Sequence, residues 1–599
     1  MPEKLLMMLA FDGHICAGAD ESGFEKYYEE TLRPFIIALN RNPKIPYALH
    51  LSGALLERLE QKKTECFLLI KEMVSRKQIE MIGGGFYEPL LPLLPHNDCV
   101  SQIEMLTTYL RKSFGRKPLG CKLFCNAWEQ FLTGFLAACG MNFTFLSEEQ
   151  FALCGETPRP VLTEDQGKLI TVFPVVSSLA GMAKGPVLPF LKAWCDGHRG
   201  GGFVPEGIVV FPQVNPPMDR FFGELSALVS AKSGDITLEL SLPSKIYRAS
   251  RELPKIYFPN SADPPLSQSR AFLAKHNEAN GIYAKLFFVN SLINQLRGDK
   301  ARKKAAREEL MKAEIGEAFC QNGHDDSAEL IRYAYKALLN AEHITREKKF
   351  TPSLLVFDFD FDHESEYLFQ DKNVNAYIRR RGASLFEFDD LPRGINFLGG
   401  CGQPSFADRF FSGGFAPSAV SFWHSSEAER NCADESFEAA QLDRQKLKAS
   451  FVLAPQKQLL PDSLGLKKNY ALEKNVLAVS YEITNPGESR TLFGFGAQCN
   501  FAFGPSGRIL VFKKTDNEEE KNEHAETGEK RRVLSLEMRD IKSGSGLKLE
   551  TENPCDLYYG WSSSHCLCLL PFFQLSLNAG ESWKNRFTLS IISTRRKSP

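Results

Sequence analysis

The sequence predicts a multidomain protein of α/β plus β structure, with a barrel of the TIM type or a shortened relative, a helical part and a C-terminal β-sandwich. Three observations lead to this prediction. Apolar runs typical of buried strands alternate with helical segments in the first part of the chain. Helical spacing dominates from about Arg270 to Glu342. From Leu354 onward, short alternating strands are separated by Gly, Pro and Asn.

The strands and helices of the first part follow one another in regular alternation. Apolar runs predict strands at Leu5–Phe11, Tyr47–Leu51, Ile79–Ile82, Gly120–Phe124, Phe143–Leu146, Lys168–Pro174 and Gly207–Phe211. Helical spacing predicts helices at Phe24–Leu39, Leu55–Glu60, Cys66–Ser75, Val100–Phe114 and Glu129–Cys139. A helix between successive strands makes the strands parallel, which favours a barrel with helices outside.

Size and charge restrict the classes of function. The 599 residues are too many for one core and suggest two to four domains. A net charge of −1 argues against a general nucleic-acid or anionic-membrane surface, so a neutral substrate fits better.

The cysteines and the N-terminal segment indicate in which cellular compartment the protein is expected. The 15 cysteines include no CxxC pair, which favours reduced thiols over a zinc ribbon or a disulfide scaffold. The apolar run near the N-terminus is too short for a membrane span and lacks a small-residue cleavage site. We therefore expect a soluble, cytoplasmic protein.

A glycine-rich stretch, KQIEMIGGGFYEP at residues 77–89, contains the third predicted strand and three glycines directly after it. Three glycines allow close approach of a ligand, while Glu80, Tyr87 and Glu88 supply acceptors and a ring face suited to sugar hydroxyls. The alternative is a glycine-rich turn with solvated acids, and spacing alone does not separate the two interpretations.

Other polar residues also follow predicted strands, where a barrel of this kind places its chemistry. Asp12 and His14 follow the first strand, and His14 could be a general base, a metal ligand or a core histidine. His50, at the second strand, has no partner in its segment and is expected to be structural. Residues 125–129 follow the fourth predicted strand, and Gln213 follows the last.

Several ordered motifs resemble glycoside hydrolase family 57, in particular its 4-α-glucanotransferase and amylase branch. They are FDGHICAG, HLSGALLERLE, KQIEMIGGGFYEP, SQIEMLTTYLR and ITVFP, with DFDFD, GASLFEFD and SLNAGESW further on. The resemblance implies an incomplete (β/α)7 barrel at residues 1–262, a helical central domain at 263–348 and a β-sandwich at 349–599.

The resemblance also implies retaining chemistry on α-1,4-glucans by two carboxylates, a nucleophile and an acid/base. At the matching positions this sequence has Cys125 in FCNAW and Gln213 in PQVNP, so both carboxylates are absent. Glutamine cannot donate a titratable proton, and nothing in the sequence near Cys125 plainly lowers its thiol pKa. Glu129 could be a displaced nucleophile, although a solvent-facing position is favoured. The expected substrate-binding residues are His14, Glu80, Tyr87, Glu88, Trp128 and Glu129.

Three hypotheses follow. The favoured one is an α-glucan-binding family member whose retaining catalysis is impaired or lost. The second is an active glucanotransferase or amylase-like enzyme that uses other carboxylates, such as Glu129 or Glu88. The third, metal-dependent deacetylase-like chemistry through Asp12 and His14, lacks further histidines at ligand spacing.

The expected partner is an α-glucan or maltooligosaccharide, with no nucleic acid, no membrane, no cofactor and no metal. A homodimer is left open. Asp358, Asp360 and Asp362 alternate with Phe on a predicted strand and could bind calcium, but a solvated strand face is favoured.

Overall fold

The computed structural model describes residues 3–198, 206–214, 218–230, 236–250, 252–264, 266–319, 325–346, 350–414, 417, 430–453, 464–504, 508–515, 518–522 and 527–593. The chain forms two compact units. The first comprises Met1–His276 with Glu314–Asn322, and the second comprises Asn277–Ala313 with Gly323–Pro599.

The first unit is built on a barrel of parallel strands. Its strands are β1 Glu3–Gly13, β2 Tyr47–Leu51, β3 Ile79–Ile82, β4 Gly120–Cys121, β5 Phe143–Ser147, β6 Val161–Asp165, β7 Lys168–Val175, β8 Glu206–Val210 and β9 Ile236–Leu240. Within the described residues, seven of them form a ring in the order β1, β2, β3, β4, β5, β7, β8. A parallel bridge between Gly83 and Cys121 joins β3 to β4 and closes the ring.

Helices connect the strands and surround them. They are α1 Glu21–Tyr27, α2 Arg33–Arg41, α3 Gly53–Lys62, α4 Thr64–Ser75, α5 His96–Phe114, α6 Leu132–Ala138, α7 Glu148–Leu153, α8 Val187–His198, α9 Asp219–Ser230, α10 Pro243–Ala249 and α11 Ser269–Lys275. Between α1 and α2 the helix continues through a π turn, Tyr28–Leu32. Pro34 follows this turn and has no N–H for the regular ladder.

An apolar core fills the barrel. Its buried members include Met8, Ala10, Ile82, Phe145, Phe173 and Val209. Ile246 of α10 joins the same cluster, so this helix packs against the interior side chains of the strands. Because side chains alternate along a strand, residues two positions further on, such as Asp12 after Ala10, face the same interior at the carboxyl ends.

The second unit contains three long helices and two antiparallel sheets. The helices are α12 Asn277–Gln295, α13 Lys300–Ala313 and α14 Asp325–Thr345. The first sheet has β10 Ser353–Phe357, β11 Glu366–Gln370, β12 Val374–Arg379, β13 Ser384–Asp390 and β14 Ile395–Asn396.

The second sheet is larger. It contains β15 Ala407–Ser412, β16 Arg430–Asn431, β17 Phe437–Asp443, β18 Lys448–Leu453, β19 Gly465–Glu473, β20 Val476–Thr484, β21 Thr491–Ala502, β22 Arg508–Lys514, β23 Glu519–Asn522, β24 Gly528–Asp540, β25 Ser545–Trp561, β26 Cys566–Leu577 and β27 Ser582–Ser593. One core cluster takes side chains from both sheets, and Tyr367 of the first meets Phe451 of the second edge to face at 4.7 Å. The two sheets therefore pack as a sandwich.

The predicted fold class is confirmed, and the differences from the sequence expectations are local. The fourth strand ends at Cys121 rather than Phe124, because Cys125 and Asn126 adopt positive φ angles of 49° and 45° and turn the chain. Strands β6 and β9 were not predicted.

The division of the chain into three domains, with boundaries after residues 262 and 348, stays a prediction.

The aspartates of DFDFD were wrongly placed on a strand. Strand β10 ends at Phe357, and Asp358 lies in the turn that follows, where its carboxylate accepts the N–H groups of Asp362 and His363 at 3.0 Å. Among the described helices, none is both long and apolar enough to cross a membrane.

Candidate active site

The carboxyl ends of the first three barrel strands bring polar residues to one level. Strand register places Asp12 beside His50 and His50 beside Ile82, and the three glycines of the glycine-rich stretch come directly after Ile82. This is the end of the barrel at which enzymes of this architecture place their chemistry.

A buried histidine and carboxylate stand at the centre of this end. His50 Nε2 donates to Glu88 Oε1 at 2.8 Å, and His50 Nδ1 lies 3.2 Å from the carbonyl oxygen of Ile82. Both partners are acceptors, so a doubly protonated imidazolium satisfies them best. Burial lowers the pKa of His50, but the charges of Glu88 and Asp12 outweigh it and raise that pKa above its usual value.

The glycines make this packing possible. A Cβ on Gly84 would lie 2.5 Å from Cε1 of His50, and a Cβ on Gly85 would lie 2.2 Å from Cδ of Pro89. The glycine-rich stretch therefore allows the backbone to pass directly against the histidine ring.

A second ion pair joins β1 to the chain after β4. Lys122 Nζ lies 3.3 Å from Asp12 Oδ2 and also donates to the Leu123 carbonyl at 2.7 Å. Burial opposes both charges, yet the pairing lowers the pKa of Asp12 and raises that of Lys122. Lys122 was not predicted as a site residue, because nothing in a short apolar run indicates that its lysine turns inward.

His14 pairs with a residue far along the chain. Its Nε2 contacts the carboxylate of Glu317, which belongs to a short 3-10 turn in the same unit, Gly316–Phe319. Burial lowers the pKa of His14, but the hydrogen bond and charge of Glu317 raise it to about 9. Glu317 was also missed by sequence reasoning, since the pair spans 303 positions.

The two positions matched to the family carboxylates lie at strand ends. Cys125 is in the short 3-10 turn after β4, and its carbonyl oxygen accepts the N–H of Asp263 at 2.8 Å. Gln213 follows β8, is exposed and donates its backbone N–H to Ala180 at 2.8 Å. Neither side chain offers a carboxylate to the barrel end.

A cavity of about 610 Å³ opens at the carboxyl end of the barrel strands. Its lining includes Asp12, Lys122, Asn126, Ser147, Phe211 and Asp263. Asp263 Oδ2 accepts a hydrogen bond from Asn126 Nδ2 at 2.6 Å, and burial raises the pKa of this carboxyl despite the charge of Lys122. Asp263 lies beyond the barrel strands, so strand-end reasoning could not find it.

The remaining predicted site residues do not all face this cavity. Trp128 is 1% exposed and meets Phe258 edge to face at 6.4 Å. Tyr87 is 7% exposed, stacks edge to face on Phe86 at 4.9 Å, and its N–H donates to Gln102. Neither ring presents an open face on which a sugar could stack, so any contribution of these rings to binding is through support of the site.

Two carboxylates expected to contact substrate are engaged elsewhere. Glu129 was expected to face solvent, and this is wrong: it is 8% exposed and its Oε1 accepts a hydrogen bond from Arg270 at 2.9 Å. Glu80 lies two residues before the end of β3 and accepts the N–H of Ser244 in the first turn of α10 at 3.0 Å. A carboxylate at a helix N-terminus satisfies an unpaired donor there.

Among the described residues, one group of side chains could hold a metal ion. Carboxylate oxygens of Asp358, Asp360 and Glu366 in the second unit lie within 4.8 Å of one another. Burial, and to a smaller extent the charges of Asp362 and Asp358, raise the pKa of Asp360 to about 6, and a bound cation would favour its ionised form. Asp12 and His14 of the barrel belong to no such group in the described part of the chain.

A ring of seven parallel strands, a polar cluster at its carboxyl end and a β-sandwich define a multidomain protein built on a TIM-like barrel. Residues 5–181 match the family model described as glycosyl hydrolase family 57, and the chain therefore carries a domain of that family. The resemblance seen in the sequence is confirmed.

Two curated relatives extend the match beyond this domain. The chain is 25% identical to alpha-amylase 1 of Dictyoglomus thermophilum in an alignment 455 positions long, which covers 66% of this chain and 65% of that protein. It is 27% identical to a 4-alpha-glucanotransferase of Thermococcus kodakarensis in an alignment 416 positions long, which covers 62% of this chain and 63% of that protein. The matched segments span less than two thirds of these relatives' own lengths.

A solved structure resembles the whole fold. The crystal structure of 4-alpha-glucanotransferase from Thermococcus litoralis superposes with a TM-score of 0.80 at 17% identity, covering 98% of this chain and 100% of that one. At this identity the likeness establishes the fold alone.

Proposed function

We propose that this protein is an α-glucan-binding member of glycoside hydrolase family 57 that has lost retaining catalysis. The observation that carries the proposal is the pair Cys125 and Gln213 at the strand ends where the family resemblance calls for a nucleophile and an acid/base. A retaining mechanism needs one carboxylate to attack the anomeric carbon and another to protonate the leaving oxygen.

Neither replacement supplies the carboxylate that its step requires. An amide has no proton that titrates near neutral pH, so Gln213 cannot act as the general acid. Cys125 brings a thiol in place of the carboxylate nucleophile, and the described residues that line the cavity do not include it.

Binding, by contrast, needs only a shaped polar cavity. The space of about 610 Å³ lies within the range of small-ligand pockets. Amide, hydroxyl and carboxylate groups from Asn126, Ser147 and Asp263 line it beside the ring of Phe211, which is the mixture that hydroxyl groups and pyranose faces require.

One observation favours a second candidate, an active enzyme with substitute carboxylates. Asp12 and Asp263 line the same cavity, and their environments move their pKa values in opposite directions. Such divergence is typical of an acid and base pair. Glu88 and Glu129, the substitutes considered from the sequence, are bound to His50 and Arg270 instead.

The proposal includes a cytoplasmic location and an α-glucan or maltooligosaccharide as the partner. Its support is that every cysteine in the described part of the chain is a free thiol, as expected in a reducing compartment. The homologues named alpha-amylase and 4-alpha-glucanotransferase support a glucan as the ligand. Whether the chain forms a homodimer stays open.

A product assay with binding measured in parallel tests this function. Purified protein is incubated with maltoheptaose and with amylose, and the products are separated by chromatography. We expect no new chain lengths, together with calorimetric binding of maltoheptaose that Phe211→Ala weakens and the control Leu169→Ala, at an exposed site on β7, does not. New longer and shorter chains would overturn the loss of catalysis, and the absence of binding would overturn the glucan-binding role.

A further inference from the structure

A second cavity, of about 420 Å³, lies within the second unit. Its walls come from the first turns of α12, from α14, from the turn after β10 and from the loop 398–404. None of its lining residues belongs to the barrel unit, so it is separate from the cavity assigned to glucan above.

Glycines shape this cavity. A Cβ on Gly399 would lie 3.0 Å from the ring of Tyr335, and a Cβ on Gly281 would lie 3.5 Å from the Tyr335 hydroxyl. Gly402 has φ of +64°, and its Cβ would lie 3.4 Å from Glu278 Oε1. Side chains at these positions would occupy the space that the glycines leave beside Tyr335 and Glu278.

The lining offers both hydrogen-bond donors and acceptors. Arg379 and Gln403 supply N–H groups, and Glu278 and Asp360 supply carboxyl oxygens. The Oδ1 atom of Asp360 is buried without a hydrogen-bond partner among the described residues. A buried polar atom without a partner is costly, so an incoming hydroxyl group that donates to it would be stabilised.

Aromatic rings complete the lining. Phe386 is half-buried and offers its ring to the cavity, whereas Tyr335 and Phe359 are 8% and 2% exposed and support the wall from behind. A ring face beside mixed donors and acceptors suits a ligand that has an apolar ring face and many hydroxyl groups.

Charge narrows the choice of ligand. A phosphate or another anion would meet Glu278, Asp360 and Asp362, while a bare divalent cation would share the cavity with the guanidinium groups of Arg379 and Arg381. A neutral polyhydroxylated molecule avoids both conflicts. Burial raises the pKa of Glu278, which increases the fraction of this carboxyl that can donate as well as accept a hydrogen bond.

We propose that the cavity formed by Glu278, Tyr335, Asp360, Arg379 and Phe386 is a second saccharide-binding site, which holds sugar units of a neutral glucan. It goes beyond the barrel function, because it lies in the other unit and needs no group of the barrel. A chain with two such sites would bind maltoheptaose with a stoichiometry of two.

The test compares variants of the full chain by calorimetry with maltoheptaose. Gly281→Leu fills the cavity from a helical position without a positive φ, and Glu278→Gln removes a charge while keeping the shape. The matched control is Glu308→Gln, which changes a half-exposed glutamate on α13 outside the cavity. We expect Gly281→Leu to remove one site, Glu278→Gln to weaken that site about tenfold, and the control to change neither.

The outcomes separate the two proposals. If Phe211→Ala weakens one site and Gly281→Leu removes the other, both proposals stand. If Gly281→Leu removes all binding and Phe211→Ala none, the second site stands and the barrel function fails. If binding has a stoichiometry of one and Gly281→Leu leaves it unchanged, the second site is overturned.

Titration with Ca²⁺ alone distinguishes a cation site. We expect that Glu278→Gln does not change the heat of calcium binding. Calcium binding that Glu278→Gln weakens, without any maltoheptaose binding at this cavity, would overturn the saccharide assignment. Circular dichroism and a thermal melt of each variant ensure that lost binding does not reflect lost folding.

Discussion

His50 Nε2 and Glu88 Oε1 lie 2.8 Å apart in an interior where their side chains are 1% and 3% exposed. The pair joins the end of β2 to the glycine-rich stretch after β3, across 38 positions of sequence. Because both histidine nitrogens face acceptors, the pair is best described as an imidazolium bound to a carboxylate. It gives the glycine-rich stretch a definite physical role, since only a residue without a Cβ allows the ring so close to the backbone at Gly84.

The pH dependence of stability should report the buried histidines of the barrel. The pKa of His14 is raised to about 9, so the folded state holds this proton more tightly than the unfolded chain, where the pKa is about 6.5. The stabilisation is therefore fully present below about pH 6.5 and lost as pH rises through about 9. We expect urea unfolding between these pH values to show a decline of as much as about 3 kcal/mol.

His14→Gln should flatten that decline, while His363→Gln, at an exposed position of the second unit, should leave it in place. The raised pKa of His50 adds a decline of the same sign. A stability that rises between pH 7 and 9 in the unmodified protein would contradict this account of the His14–Glu317 pair.

Trp128 should matter for folding more than for sugar stacking. Because the ring is 1% exposed, Trp128→Ala is expected to lower the free energy of unfolding by about 3–5 kcal/mol. Tyr257→Ala, at a ring that is 55% exposed, is expected to cost about 1 kcal/mol or less. Urea titrations followed by circular dichroism measure both changes.

Trp128→Phe separates a role in folding from a role in sugar stacking, because it keeps a buried aromatic ring but replaces the indole with a smaller phenyl group. We expect maltoheptaose affinity within about twofold of the unmodified protein in calorimetry, a difference of less than about 0.5 kcal/mol. A tenfold loss of affinity in a variant that folds normally would show that the indole contacts sugar after all.

Restoring the two missing carboxylates should restore chemistry only when both are present. The double variant Cys125→Glu with Gln213→Asp is expected to cleave or rearrange maltoheptaose detectably by chromatography, because retention requires a nucleophile and an acid/base together. Each single variant is the control for the other and is expected to give no product. Equal activity in one single variant and in the double variant, or a folded double variant without product, would contradict this expectation.

The helical part and the first sheet of the second unit share a buried ion cluster. Lys285 Nζ lies 3.0 Å from Glu342, 2.5 Å from Glu387 and 3.1 Å from Asp389, with its side chain fully buried. Among the described residues, Lys285 is the cation that contacts both Glu387 and Asp389, so Lys285→Met leaves these buried carboxylates uncompensated. We expect a loss of about 3–5 kcal/mol in unfolding free energy.

Lys304→Met is the matched control. This lysine is 77% exposed and lies 3.8 Å from Glu308 on the surface of α13, so its loss is expected to cost no more than about 1 kcal/mol. Scanning calorimetry of the two variants measures the contrast. Equal shifts in the unfolding transition would contradict the role given to the buried cluster.

The sequence by itself determined the elements of the barrel and the kind of residue at its strand ends. Buried parallel strands are continuous apolar runs, so β2 and β3 could be delimited at Tyr47–Leu51 and Ile79–Ile82 directly from the pattern. A strand ends where its apolar run stops, so the residues that follow the runs could be selected as site candidates: Asp12, His14, Glu88, Cys125 and Gln213. The absence of carboxylates at the last two positions is likewise a property of sequence alone.

Only the tertiary structure decided which of these residues meet and which are buried. Side-chain pairing depends on tertiary packing, which brings the turn Gly316–Phe319 against His14 so that Glu317 pairs with it across 303 positions, and no local periodicity encodes such a pairing. Packing against Phe258 and Arg270 likewise buries Trp128 and Glu129, which a strand-end position suggested were open to a ligand. The cavity beside Tyr335 likewise arises from segments far apart in sequence, because its glycines make room only against side chains supplied by α12 and α14.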